Sequence, residues 1–243
     1  MGARVAVSVE GASKHFRLRH THSLKESLVW AVQGRARHDD FHALAPLDLT
    51  VHEGETVALL GRNGSGKSTL LKLVAGVMAP DTGRVRVRGR LAGLLEVGAG
   101  FHPDLTGREN VHLNAAILGM DPAAVRARFD DIVAFADIGP FLDTQVRFYS
   151  SGMFLRLAFA VAVHTEPDVF LVDEVLAVGD EAFRDKCLTR IEQLSAEGRT
   201  LVVVSHDLPL VERLCDRGIV LDAGRVVHDG PVEEAVGRLR AVL

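Results

Sequence analysis

Nine consecutive residues, Gly61-Arg62-Asn63-Gly64-Ser65-Gly66-Lys67-Ser68-Thr69, have the types and spacing needed to grip a triphosphate. Gly61, Gly64 and Gly66 let the backbone take conformations that a side chain forbids. Asn63 and Ser65 lie between them, so successive N–H groups turn inward as an anion nest. A helix starting near Lys67 adds its positive end, and Thr69 falls in its first turn. The Lys67 ammonium is a point charge for the β- and γ-phosphates, and the Ser68 hydroxyl is a ligand for Mg²⁺.

Three further segments complete the chemistry. In Val169-Phe170-Leu171-Val172-Asp173-Glu174, four apolar residues run into two carboxylates. Asp173 would hold Mg²⁺ directly or through water. Glu174 would polarise the attacking water as a general base. Without a phosphate loop upstream, the same pair would read as a surface acidic pair at a strand end. Leu201 to Val204 is another apolar run, ending in Ser205-His206-Asp207, where His206 can donate a hydrogen bond to a γ-phosphate. Tyr149-Ser150-Ser151-Gly152-Met153 precedes a long apolar segment. A small-residue turn that caps a helix is common. Its Ser150 hydroxyl and the free N–H groups near Gly152 also suit a second contact to phosphate.

The elements that must position these residues alternate between strands and helices. Arg4 to Glu10 and Leu44 to Val51 alternate apolar and polar residues, the pattern of half-buried strands. Thr56 to Leu60 is continuously apolar, as a strand buried on both faces would be. It leads straight into the glycine-rich loop, and Ser68 to Val77 is expected to continue as a helix. Val85 to Val87 and Leu91 to Val97 read as strands. From Leu105 to about Gln193 the pattern is mostly helical: Thr106 to Gly119, Pro122 to Phe135, Gly152 to His164 and Asp180 to Ala196. The third of these carries almost no charge apart from Arg156 and should be deeply buried. Asp168 to Asp173 and Thr200 to Ser205 are strands. Ile219 to Leu221 and Val226-Val227 form a hairpin around Asp222-Ala223-Gly224, and Val232 to Leu243 closes the chain as a helix. Alternating strands and helices imply a mainly parallel α/β sheet with a helical insertion, and the early alternating strands imply an antiparallel sheet at one side.

Ser23 to Gly34 stands apart. Ser23 and Glu26 have capping-box spacing, and Leu24, Leu28 and Val32 share one face of a short amphipathic helix that carries the only tryptophan, Trp30. Such a helix either packs on its own domain or is held out for a partner.

The whole chain sets bounds. Its 243 residues can bury a sizeable core. A net charge of -4 offers no sign of nucleic-acid binding. Cys187 and Cys215 lack metal spacing and are too few for a disulfide framework, as expected of reduced thiols. No apolar run approaches the ~20 residues of a membrane span, and Met1 to Glu10 lacks a secretory signal. A cytosolic protein able to dock on a membrane partner is the expectation.

The four segments, in this order, resemble the ATP-binding cassette (ABC) family over about Val5 to Val227. That resemblance implies one ABC ATPase domain over residues 1–243: a P-loop NTPase core with a mainly parallel sheet, an antiparallel β subdomain and an inserted helical subdomain over about 105–165. Tyr149 to Met153 corresponds to the family's signature motif, usually Leu-Ser-Gly-Gly-Gln, keeping Ser150 and Gly152 and departing at Tyr149, Ser151 and Met153. Ala177-Val178-Gly179-Asp180 matches the family's D-loop, which brings Asp180 to the nucleotide. The family's adenine-stacking aromatic matches Phe16, in Ser13-Lys14-His15-Phe16-Arg17; otherwise Phe16 is a plain core aromatic. The glutamine that normally ends the strand after the phosphate loop is missing, and Glu96 is its candidate substitute as an oxygen ligand for Mg²⁺. Glu96 to Asn110, Tyr149 to Met153 and Val175 to Asp180 look like the branch that exports cell-surface polysaccharides, O-antigen and teichoic acids. The helix Ser23 to Gly34 also fits that branch. Some of its members carry a C-terminal carbohydrate-binding domain, which a chain ending at Leu243 is expected to lack.

The resemblance further implies a twofold, head-to-tail homodimer. Each ATP would lie between Lys67 of one copy and Ser150 and Gly152 of the other. Closing and reopening would move a separate membrane permease from the cytoplasmic face. The competing expectations are a drug or lipid exporter, a non-transport ATPase acting on DNA or ribosomes, and a binding module without turnover. The chain carries neither the long inserted coiled coil nor the second cassette usual in such non-transport ATPases, and Glu174 with His206 argues against a binding module without turnover.

Overall fold

The computed structural model describes residues 4–18, 39–93, 100–173 and 180–242. The amphipathic segment Ser23 to Gly34, Glu96 and Glu174 lie outside the described residues.

Two sheets organise the chain. The first is antiparallel, in the order β2-β1-β4, from β1 (Val5–Leu18), β2 (Asp39–His52) and β4 (Thr82–Val87). The second is six-stranded: β5 (Leu91–Gly93), β6 (Val169–Val172), β7 (Thr200–Val203), β3 (Thr56–Leu60), β8 (Arg217–Asp222) and β9 (Arg225–Pro231), in that spatial order. Only β9 runs antiparallel, paired with β8 across the turn Asp222-Ala223-Gly224. β5, β6, β7, β3 and β8 are all parallel, so they end at one edge.

Period-2 alternation sorts the central strands into two cores. Ala58, Leu60, Phe170, Val172, Leu201 and Val203 face one side. There they meet α5 (Glu181–Ala196), α6 (Leu208–Leu214), α7 (Val232–Val242) and the end of α4 (Ser151–His164). Val57, Leu59, Val169, Leu171 and Val202 face the other. There α1 (Lys67–Val74) lies between the two sheets, burying Leu70, Leu71 and Leu73 against β1 and β2 residues such as Val7, Val9, Leu47 and Val51. Fully burying a side chain of this size stabilises by about 1.5–3 kcal/mol, so α1 is pinned despite being only eight residues long. α1 stops at Val74, short of Val77, because Gly76 takes a left-handed φ of 72°.

A third core belongs to α2 (Gly107–Ile117), α3 (Pro122–Ala136) and α4, through Val111, Ala115, Val125, Ile132, Leu157, Ala160 and Val161. Thr106 and Glu109 form the capping box that starts α2. α4 is buried all round from Leu157 to Val163, as its lack of charge requires. Two short 3₁₀ turns, Gly139–Asp143 and Val146–Phe148, join α3 to α4. No helix among the described residues is long and apolar enough to cross a membrane.

Candidate functional site

The loop between β3 and α1 is a backbone cradle held from three sides. Gly66, at φ 106°, is the N-cap of α1, and no side chain caps that helix. Its first N–H groups are therefore left facing outward for an anion. A Cβ on Gly66 would come 2.7 Å from the Ala43 carbonyl oxygen and the Leu44 side chain, so only glycine lets β2 abut the loop. The Gly224 N–H donates to the Ser65 carbonyl at 2.9 Å, and the Ala45 N–H donates to the Gly224 carbonyl at 3.0 Å. The β8–β9 turn thus clips loop and β2 together. Asn63, Gly64 and Ser68 are exposed on the open side and Thr69 is half-buried. The Ser65 Oγ is buried with no hydrogen-bond partner among the described residues.

Gly61 carries the tightest contact. Its φ is 149°, and a Cβ there would lie 2.3 Å from the Leu221 carbonyl oxygen and 2.5 Å from the Ser65 Oγ. The backbone carbonyl of a central strand cannot yield. Gly61→Ala is expected to cost about 1–3 kcal/mol, as overpacking usually does, and to weaken nucleotide binding. Thermal unfolding with and without ATP checks this; unchanged values for both would mean the loop has room to spare.

Lys67 is only 9% exposed. Its ammonium donates to the Gly61 carbonyl at 2.7 Å and the Arg62 carbonyl at 3.1 Å, which holds it inside the loop. Burial pulls the Lys67 pKa down, and the charge of Asp173 pushes it back up. Burial likewise pushes the Asp173 carboxyl up, while Lys67 and Lys72 pull it down. Each charge is disfavoured by desolvation and only partly supported by the other. Asp173 follows β6, and β7 lies between β6 and β3. The chain after β7 carries Ser205 and exposed His206, so His206 leaves the same edge between the strands that deliver Asp173 and Lys67. The Ser205 Oγ accepts from the Asp207 N–H at 3.0 Å, and Asp207 caps α6 through the Leu210 N–H. Ligands of open α/β sheets bind at this carboxyl edge, where the strand order reverses about β3.

The remaining residues lie elsewhere. Ser150 is the N-cap of α4, its Oγ accepting from the Met153 N–H at 3.2 Å, and Gly152 lies in the first turn. Both belong to the helical cluster, whose core shares no residue with the one around α1. Asp180 caps α5 by accepting from the Phe183 N–H at 2.9 Å, and its other oxygen accepts from Arg156 of α4 at 2.6 Å. Phe16 is half-buried on β1 opposite Phe41, two positions beyond the Lys14–Leu44 pair whose Leu44 touches Gly66.

A profile of the ABC transporter family matches residues 44–177, more than half of the chain. The chain belongs to the ABC transporter family. Two curated ABC relatives carry the likeness along nearly its full length. An O-antigen export system ATP-binding protein of Myxococcus xanthus is 45% identical over 98% of this chain and 56% of its own length. A teichoic acids export ATP-binding protein of Listeria monocytogenes is 38% identical over 96% of this chain and 69% of its own. The chain therefore spans little more than half of the first relative and about two thirds of the second. A solved dimer of an ATP-binding cassette in a post-hydrolysis state, bound to ADP and Pi, superposes with a TM-score of 0.73 at 22% identity, covering 93% of this chain and 98% of its own. That likeness establishes the ABC ATPase fold.

The donor set suits Mg²⁺. The ion favours hard oxygen ligands, keeps several waters and needs only one or two protein oxygens. The Ser68 hydroxyl and the Asp173 carboxylate are such a pair. Among the described residues no group of three or more His, Cys, Asp or Glu gathers as an all-protein metal cage.

Some contributors were invisible in the motifs. Gly224, Ala43 and Leu44 buttress the loop from distant points in the chain, and the only sequence signal was the turn at Gly224. Lys72, one turn along α1 from Ser68, adds positive charge near Asp173.

Proposed function

We propose that this chain is the ATP-binding and ATP-hydrolysing subunit of an exporter of cell-surface polysaccharide, teichoic acid or lipid-linked glycan. The observation that carries the reading is the Lys67 ammonium, held inside an uncapped backbone cradle, with Asp173 at the carboxyl edge of the same sheet. A triphosphate would compensate the first and a divalent cation the second. The names of the relatives favour a glycan cargo over a drug or lipid.

The residues then divide the work. The N–H groups of Gly61 to Thr69 receive the phosphate oxygens, and Lys67 neutralises the β- and γ-phosphates. Ser68 and Asp173 would hold Mg²⁺, which would supply neutralisation of the phosphate charge. Glu174 accepts a proton from the attacking water as the water's oxygen bonds to the γ-phosphorus, and the bond from that phosphorus to the β,γ-bridging oxygen breaks, its electron pair leaving with ADP. His206 senses the γ-phosphate from the next strand. In a head-to-tail homodimer, Ser150 and Gly152 of one copy meet the ATP on Lys67 of the other, Asp180 borders that interface, and Phe16 stacks on the adenine. Glu96 would offer Mg²⁺ a further oxygen ligand in place of the family's usual glutamine. The subunit lies at the cytoplasmic face of the membrane and grips a separate permease, and the segment Ser23 to Gly34 would contribute to that grip.

Purification of the tagged chain from membranes, followed by mass spectrometry and a phosphate-release assay, tests this. The expected result is a permease encoded beside glycan-assembly enzymes, together with Mg²⁺-dependent ATP hydrolysis. A drug-exporter permease would overturn the cargo, and absence of hydrolysis would overturn the enzyme.

A further inference from the structure

Tyr149 stands where the signature turn of the family usually carries leucine, and its hydroxyl is engaged. The Tyr149 Oη donates to the Phe141 carbonyl at 2.7 Å. Its ring packs against the helical core, as Leu142 and Met153 also do. Burial raises the phenol pKa, which keeps the donor proton in place at neutral pH. Opposite it, Gly107 opens α2 with no positive φ, so no backbone conformation demands glycine there. Space does: a Cβ on Gly107 would lie 2.0 Å from the Tyr149 Oη, with the Leu142 carbonyl oxygen at 3.0 Å and the Tyr149 Cζ at 3.1 Å behind it. The same junction is stitched by the Gly107 N–H to the Thr144 carbonyl at 3.1 Å and the Val146 N–H to the Leu105 carbonyl at 2.9 Å.

We infer that Tyr149 and Gly107 form a matched positioning pair that sets the angle of the Ser150–Gly152 turn, and with it the contact this chain makes to ATP on a second copy. The inference rests on the dimer reading above. The hydroxyl reaches across the 3₁₀ turn Gly139–Asp143, and the glycine clears the path for it. The start of α2 and the start of α4 then move as one body. Neither residue touches nucleotide on its own copy, so their loss weakens association and turnover while sparing the affinity of the Lys67 face.

The full chain and its variants are compared by titration of monomeric protein with ATP, by size exclusion with Mg²⁺ and the imido analogue of ATP, and by phosphate release. Tyr149→Phe keeps the ring and removes one hydrogen bond; ATP-dependent dimerisation and kcat are expected to fall about fivefold with monomer ATP affinity unchanged. Gly107→Ala should lose more than about tenfold, and Gly107→Ala with Tyr149→Leu should recover most of that loss, because the 2.0 Å clash with the phenol is gone and only the 3.0 Å approach to the Leu142 carbonyl is left. Wild-type dimerisation and turnover in Tyr149→Phe would overturn the inference. So would equal losses in Gly107→Ala and the double variant, or a parallel fall in monomer ATP affinity. If the unsubstituted protein itself neither dimerises nor hydrolyses, the reading of the site fails first and takes this pair with it.

Discussion

Lys67→Ala is expected to weaken ATP binding by tenfold to a hundredfold, the weight of about 1.5–3 kcal/mol for a charge-assisted contact. Turnover should fall further, by about 10²–10³, as it does when a donor that meets developing charge is removed. The fold should hardly notice. The substitution leaves the Gly61 and Arg62 carbonyls without their ammonium partner, which destabilises. It also relieves the desolvation that pulls the Lys67 pKa down, which stabilises. These two effects oppose each other, so Tm should move little while nucleotide chemistry collapses. That separation marks a residue kept for function at the expense of stability. Isothermal titration with ATP, phosphate release and thermal unfolding on one preparation give all three quantities. Unchanged affinity and rate would remove the phosphate loop from the account. A Tm that fell as steeply as turnover would make Lys67 a structural residue instead.

The strands that deliver this site were legible because each is short and buried on both faces. Thr56 to Leu60, Val169 to Val172 and the run from Leu201 carry no polar interruption, and each ends beside a candidate site residue. The hairpin around Asp222-Ala223-Gly224 was legible from its turn residues and the apolar pairs flanking it. Strand length was less legible. β1 and β2 each run for 14 residues, well beyond the alternation at Arg4 to Glu10 and Leu44 to Val51. Register shifts at Val9–Ala12 and Lys14–His15 break the period, so the far halves do not alternate cleanly in sequence. The 3₁₀ turns before α4 were missed because Gly139-Pro140 reads only as a break. For the site, the motifs pointed to the phosphate loop and to the residues at the carboxyl ends of β6 and β7. They could not point to those that hold the loop from behind, because nothing about Gly224 or Ala43 in sequence says that the chain returns to Ser65 and Gly66. Periodicity reports which face a residue takes, and it is silent on which distant face it meets.

Glu174→Gln should separate binding from hydrolysis. Glutamine keeps the size and one carbonyl oxygen of glutamate, so it can still accept a hydrogen bond from the water, but it cannot take its proton. Loss of a positioned general base costs about 10²–10⁴ in rate. Monomer affinity for ATP rests on Gly61 to Ser68 and Asp173 and should stay within about threefold of wild type, a factor worth less than one hydrogen bond. The state of association should change in the opposite sense. In the proposed sandwich, ATP would favour the closed dimer only through contacts made in that state, namely those from Ser150 and Gly152 of the second copy, and hydrolysis would end them by releasing the γ-phosphate. With hydrolysis slowed and those contacts intact, the ATP-bound dimer should outlive its wild-type counterpart by the same factor that the rate has lost. Size exclusion with Mg²⁺ and ATP should then show a persistent dimer for Glu174→Gln and a transient one for the unsubstituted chain. Adding Lys67→Ala should abolish the persistent dimer, because the nucleotide that bridges it is no longer held. A Glu174→Gln protein that hydrolyses at the wild-type rate would strip Glu174 of its role as base. One that hydrolyses slowly yet stays monomeric with ATP would leave the base in place and refute the head-to-tail sandwich.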